Sequence, residues 1–176
     1  MAYISLPEFE EMTPRVQAQA KPILEKTGKL GAIFQLLAVR EDIYFATDGM
    51  IKAYLLAETE LPYSTKERIA LLISLENSCK MCVDVHKGIA KMLGMTEAQI
   101  NEVLEGIDKI QCEESEKTLL RFSVRASRKD NYKMLQSDID EVKKAGYSDT
   151  QIIEAVAITG YFNYINTLSN VFGLNQ

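Results

Sequence analysis

In the run Glu76-Asn77-Ser78-Cys79-Lys80-Met81-Cys82-Val83-Asp84-Val85-His86, two thiols and an imidazole stand at i, i+3 and i+7. On a helix these three side chains form one stripe, because residues three, four and seven apart stack along a face. Thiols at this spacing can close an intramolecular disulfide. A helix N-terminus with an imidazole nearby favours the thiolate, the form of cysteine that reacts. The chemistry this pattern predicts is redox chemistry at sulfur. Two other uses fit the same residues. The cysteines can serve as small core hydrophobes, with His86, the only histidine of the chain, a buried polar residue satisfied by a partner. A zinc site would need a fourth ligand, and Cys112 or a carboxylate would have to supply it without a second pairing motif.

The two thiols are not equivalent. Cys79 lies nearer the helix start, and on the dipole argument it would be the more acidic. Cys82 lies four residues before His86 and can hand its proton to the ring, which also provides the proton a leaving oxygen needs. Relay geometry therefore selects Cys82 as the attacking thiol and Cys79 as the more exposed partner that resolves it. Glu67 has two readings of equal weight on physics alone. It is the third residue after Ser64 in a capping box Ser64-Thr65-Lys66-Glu67, and it also stands where it can orient and charge-balance His86 across a helix pair. Cys112, in Ile110-Gln111-Cys112-Glu113-Glu114, sits among acids that raise a thiol pKa, and is expected to be a spectator.

The elements that position these groups read as helical. Ile69, Leu72, Ile73 and Leu75 follow three-four spacing, as do Ile152, Ile153, Val156 and Ala157, and alternating β-branched runs are missing. The spacing predicts an all-α fold, a single compact domain over residues 1–176 with about eight helices. They lie near 14–27, 31–39, 43–57, 64–77, 79–93, 96–106, 114–129 and 137–171, the last broken near Gly146. Pro62 stands where it blocks extension of the preceding helix. A weak repeat links Gly94-Met95-Thr96 with Gly146-Tyr147-Ser148: each reads as a helix stop at glycine followed by a capped restart, closed by Gln99 or Gln151. Asn163 and Asn166, three apart on an otherwise apolar helix, need partners, either at helix ends near the thiols or across a subunit contact.

Composition narrows the function classes. The chain has 176 residues, 47% of them apolar, with 20 Lys and Arg against 25 Asp and Glu, for a formal charge of -5. That is enough for one packed core and offers no basic field for nucleic acid. The N-terminus lacks a basic start and a long apolar core, and nowhere do apolar residues run long enough for a membrane helix, so a cytoplasmic location is expected. Three cysteines are too few and too odd a number for a secreted disulfide framework. No Gly-rich phosphate cradle is present, and no cofactor is implied.

Glu67, Cys79, Cys82 and His86 have the spacing E-x11-C-x-x-C-x3-H, which resembles the signature of the alkylhydroperoxidase D-like, peroxidase-related branch of the carboxymuconolactone decarboxylase superfamily. Leu61-Pro62-Tyr63-Ser64 leading into Lys66-Glu67-Arg68-Ile69-Ala70, Asn77 before the first cysteine, and Tyr161-Phe162-Asn163-Tyr164-Ile165-Asn166 are similar to that pattern too. Roughly residues 31–171 fit. Two positions depart from it: Met81 stands where relatives often carry Tyr or His, and Thr167 where a basic residue is frequent. The resemblance implies an all-helical alkylhydroperoxidase D-like fold and reduction of hydroperoxides through a Cys79–Cys82 dithiol/disulfide cycle. It implies Cys82 as the peroxidatic residue, a Glu67–His86 proton relay, and replenishment by a protein dithiol or lipoyl-type carrier. It also implies a homo-oligomer, a trimer or a hexamer built from it, consistent with an apolar stretch from Ile152 to Phe172. Decarboxylases of the superfamily lack the cysteine pair, so a lactone substrate is the secondary reading, beside a redox-sensing or purely structural helical protein.

Overall fold

Stop-and-restart signals in the sequence set the architecture of the computed structural model, which describes residues 2–174. Among those residues there are nine α-helices and no strand. They are α1 (Pro14–Thr27), α2 (Ala32–Ala38), α3 (Glu41–Ile51), α4 (Tyr63–Glu76), α5 (Lys80–Met92), α6 (Glu97–Glu105), α7 (Glu114–Ser127), α8 (Gln136–Lys144) and α9 (Asp149–Val171). The expected all-α class holds, and the span predicted to break near Gly146 does so, giving α8 and α9. A π-helical turn, Lys52–Leu56, continues α3, so the single helix expected over 43–57 changes pitch in its second half.

The paired restarts form as read. Thr96 and Ser148 cap α6 and α9 through complete capping boxes with Gln99 and Gln151. Gly94 and Gly146 precede them at φ 93° and 103°, a region costly for any side chain. The capping box expected at Ser64 does not form. Helix α4 starts one residue earlier, with Pro62 at its N-cap position and no side-chain cap. Ser64 therefore lies inside the first turn, and Glu67 is free to point into the protein.

Helix α4 is the hub. Every residue from Thr65 to Ser74 is buried, which marks a helix surrounded on all sides, and it packs against α5, α7 and α9. Its charged residues are matched where they are buried. Lys66 Nζ lies 2.8 Å from a Glu154 carboxylate oxygen and donates to the Ala57 carbonyl; Arg68 pairs with Glu116 at 2.7 Å. Losing one partner of such a pair would strand a buried charge, at a cost of about 3–5 kcal/mol. Ile69, Ile73, Leu120, Ile158 and Phe162 belong to the main core. A smaller cluster, with Met12, Val16, Leu37 and Tyr44, ties α1 to α2 and α3. The apolar stretch from Ile152 onward is largely consumed here: Ile152, Ile158, Tyr161, Phe162 and Ile165 are buried within the chain, while Ile153, Val156 and Val171 stay exposed. No helix among the described residues is long and apolar enough to cross a membrane.

Candidate redox site

The site grows out of the corner between α4 and α5. Asn77 ends α4, Ser78 follows at φ +52°, the only positive φ of a non-glycine residue described, and Cys79 is the N-cap of α5. Left-handed backbone at such a residue costs on the order of 1–3 kcal/mol, so surrounding contacts must hold it. Helix α9 supplies them. The Asn77 side-chain amide donates to Asn163 Oδ1 (2.8 Å) and Asn166 Oδ1 (3.0 Å), and Asn170 donates to the Asn77 carbonyl (2.8 Å). Asn166 also donates to Ser74 Oγ on α4, and Asn163 to the Ser127 carbonyl. Of the two uses predicted for Asn163 and Asn166, the structure places them at the helix ends beside the thiols.

Cys79 and Cys82 are joined as a disulfide, their Cα atoms 5.3 Å apart. As the N-cap, Cys79 lies just outside the helix on which the stripe was drawn, and its Sγ accepts from the Cys82 amide at 3.4 Å. The expectation that Cys79 is the more exposed thiol is not met: Cys79 is 0% and Cys82 2% exposed. The cause is the corner itself, which holds Cys79 against the end of α4, its amide donating to the Ser74 carbonyl at 2.8 Å and its side chain within the main core. Cys82 and His86 keep the one-turn relation expected of them. His86 Nδ1 lies 2.8 Å from Glu67 Oε2, with Glu67 4% and His86 9% exposed. This contact decides between the two readings of Glu67 in favour of a histidine partner. A carboxylate on Nδ1 fixes the tautomer with the proton on that nitrogen and leaves Nε2 for proton exchange. The ring is held edge-on against Phe162, with centroids 4.8 Å apart.

Cys82 and His86 line an apolar cavity of about 130 Å³, walled by Phe34 and Leu37 of α2, Ile51 of α3, Leu55 of the π-helical turn, and Tyr161 and Phe162 of α9. Met81 is part of that wall, so the departure from the family pattern adds apolar surface where a titratable group often stands. Burial pushes the Tyr161 hydroxyl pKa far above its ordinary range, so the phenol stays protonated. Cys79 borders a separate shallow cleft with Ser74, Leu75, Ser78, Lys80 and Val83. Cys112 is a free thiol outside this cavity, and burial first, then Glu116, raises its pKa. Thr167 is exposed and donates to the Asn163 carbonyl. Among the described residues no group of three or more His, Cys, Asp or Glu gathers in a form that could hold a metal ion.

Sequence reasoning missed Ser169, Asn170 and the cavity wall from α2. Ser169 Oγ lies 3.6 Å from Cys82 Sγ. The three-four spacing of Asn163 and Asn166 continues to Ser169 and Asn170, and this polar seam along an apolar helix was the signal that could have found both.

Comparison with known proteins bears on this geometry. Residues 46–112, which contain Glu67, Cys79, Cys82 and His86, match the sequence profile of the carboxymuconolactone decarboxylase family. A search of curated proteins found no match. A crystal structure described as an alkylhydroperoxidase AhpD core, a peroxidase-related protein from Ralstonia eutropha JMP134, superposes with a TM-score of 0.90 at 22% identity, covering 98% of this chain and 90% of that one. A peroxidase-related protein from Silicibacter sp. TM1040 gives 0.88 at 19% identity, with the same coverage of 98% and 90%. The debrominase Bmp8 without ligand gives 0.80 at 19% identity, covering 97% and 90%; a variant of it was solved with 2,3,4-tribromopyrrole. The match over 46–112 bears out the carboxymuconolactone decarboxylase family resemblance read around Glu67, Cys79, Cys82 and His86, and the superpositions bear out the all-helical alkylhydroperoxidase D-like fold over nearly the whole chain.

Proposed function

We propose that this protein is a thiol-dependent peroxidase that reduces hydroperoxides through the Cys79–Cys82 pair. The observation that carries the reading is the buried Glu67–His86 contact at 2.8 Å beside an apolar cavity that His86 lines together with Cys82, one helical turn before it. His86 takes the Cys82 proton, and the thiolate attacks the terminal oxygen of the hydroperoxide. An S–O bond forms as the O–O bond breaks. The departing alkoxide takes the proton from His86 and leaves as an alcohol, while Cys82 becomes a sulfenic acid. Cys79 then attacks that sulfur, releasing water and closing the disulfide. A protein dithiol or lipoyl-type carrier returns the pair to two thiols by exchange and leaves as its own disulfide. The shallow cleft beside Leu75 and Val83, which Cys79 borders, is the route proposed for the carrier, and because both sulfurs are buried its use needs local opening there.

Peroxide consumption with a dithiol reductant tests the reading, comparing the wild type with C82S. In a dimedone trap, C79S should leave a sulfenic acid on Cys82 and C82S should leave Cys79 a thiol; the opposite labelling would exchange the two roles. The apolar wall also suits a second reading, removal of bromine from a small brominated ring, after the debrominase's name and its complex with 2,3,4-tribromopyrrole. There two thiols become the disulfide as the carbon–halogen bond is replaced by carbon–hydrogen, and halide release in the same assay separates the readings. A trimer or a hexamer is the assembly proposed, and light scattering that finds a monomer across micromolar concentrations rules it out.

A further inference from the structure

Ser169 is fully buried on α9 and its hydroxyl faces Cys82 Sγ at 3.6 Å, within hydrogen-bond reach for sulfur. Some buried helical hydroxyls here reach other helices, as Thr65 does to Glu116 and Thr47 to Tyr164, and others fold back on their own: Ser123 donates to the Leu119 carbonyl and Thr159 to the Ala155 carbonyl, each at 2.9 Å. Ser169 is of the first kind and crosses to another helix. In the disulfide the Cys82 sulfur carries no proton, so the hydroxyl is the donor of this contact. It lies two turns from Phe162, the ring that holds His86, and next to Asn170, which holds the corner before Cys79. One face of α9 therefore sets the imidazole, the corner and the reacting sulfur.

We propose that Ser169 is a further catalytic residue, the hydrogen-bond donor that stabilises the Cys82 thiolate once the disulfide is reduced. The proposal rests on the reading of Cys82 as the attacking thiol. A bond donated to the charged form favours that form, and in a buried apolar setting few other donors are available to the sulfur. His86 removes the proton from Cys82; Ser169 keeps the sulfur ionised without itself exchanging a proton. It approaches from α9, whereas His86 comes from α5, so the two act on the sulfur from separate elements.

The test is a pH titration of thiolate absorbance near 240 nm in a C79S/C112S background, where Cys82 is the only cysteine and Ser at position 79 still offers a capping oxygen. S169A should raise the midpoint and lower the thiolate fraction at pH 7 by about three- to tenfold. S123A, which removes a buried hydroxyl bonded to its own helix, should leave the profile in place. S169T and S169V differ only by a hydroxyl against a methyl, so they separate hydrogen bonding from packing if S169A folds poorly: S169T should keep the parent midpoint and S169V should not. Equal midpoints for S169A, S169V and the parent would overturn the proposal. The titration needs no peroxide, so absence of peroxide consumption by the wild type would refute the peroxidase reading while leaving this result to stand or fall by itself.

Discussion

Replacing Glu67 by Gln isolates the relay from the fold. The substitution keeps the shape of the side chain and an oxygen that can accept from His86 Nδ1, but removes the charge 2.8 Å from the ring. Both side chains are almost wholly buried, at 5% exposure for Glu67 and 11% for His86, so solvent screens the interaction weakly. A hydrogen bond to a charged group contributes about 1.5–3 kcal/mol against about 0.5–1.5 for a neutral one. The difference falls on the step in which the imidazole becomes charged, after it has taken the Cys82 proton. At about 1.4 kcal/mol per tenfold, a loss of 1–2 kcal/mol slows thiolate oxidation by roughly five- to thirtyfold. Stopped-flow measurement of sulfenic acid or disulfide formation in a single turnover reads that step without interference from reductant. E67Q should slow it by that margin while thermal unfolding stays within a few degrees of the wild type. A single-turnover rate within twofold of the wild type would show that Glu67 only anchors the ring and that proton transfer does not depend on its charge.

Peroxide should remove two thiols per chain and leave Cys112 free by peptide mapping. Because burial raises the Cys112 pKa, its alkylation should lag at neutral pH and catch up only as the pH passes its ordinary range. Fast labelling of Cys112 at pH 7 would contradict this. Phe162 is fully buried and braces His86, so F162A should cost about 3–5 kcal/mol in denaturant unfolding and also loosen the ring, reducing single-turnover rates in protein that is still folded. N166A takes one acceptor from Asn77 and the donor from Ser74 Oγ in a fully buried setting; a loss of about 1–3 kcal/mol is expected by thermal melting, and an unchanged melting curve would mean that the corner is held without it.

Local rules made much of this protein legible in one dimension. Apolar residues at three-four spacing can bury their stripe only as helices, and glycine followed by Thr or Ser and then Gln cannot easily be anything but a stop and a capped restart; both copies formed as read. Cys79 and Cys82 are close in sequence, so their pairing needed little beyond a helix start, and His86 followed from one more turn of the same helix. Glu67 was different. Its spacing allowed a cap at Ser64 or a partner nineteen residues on, and only the packing of α4 against α5 chose, by starting α4 at Tyr63 and burying the carboxylate. Exposure of the thiols was likewise beyond sequence, because it depends on how the α4–α5 corner seats both within the main core. The apolar cavity joins walls from α2, α3, α5 and α9, and Ser169 meets Cys82 across 87 residues of chain. Contacts of that range have no spacing rule; they exist only once α9 docks along α4, and that docking is set by the summed fit of a core rather than by any single residue.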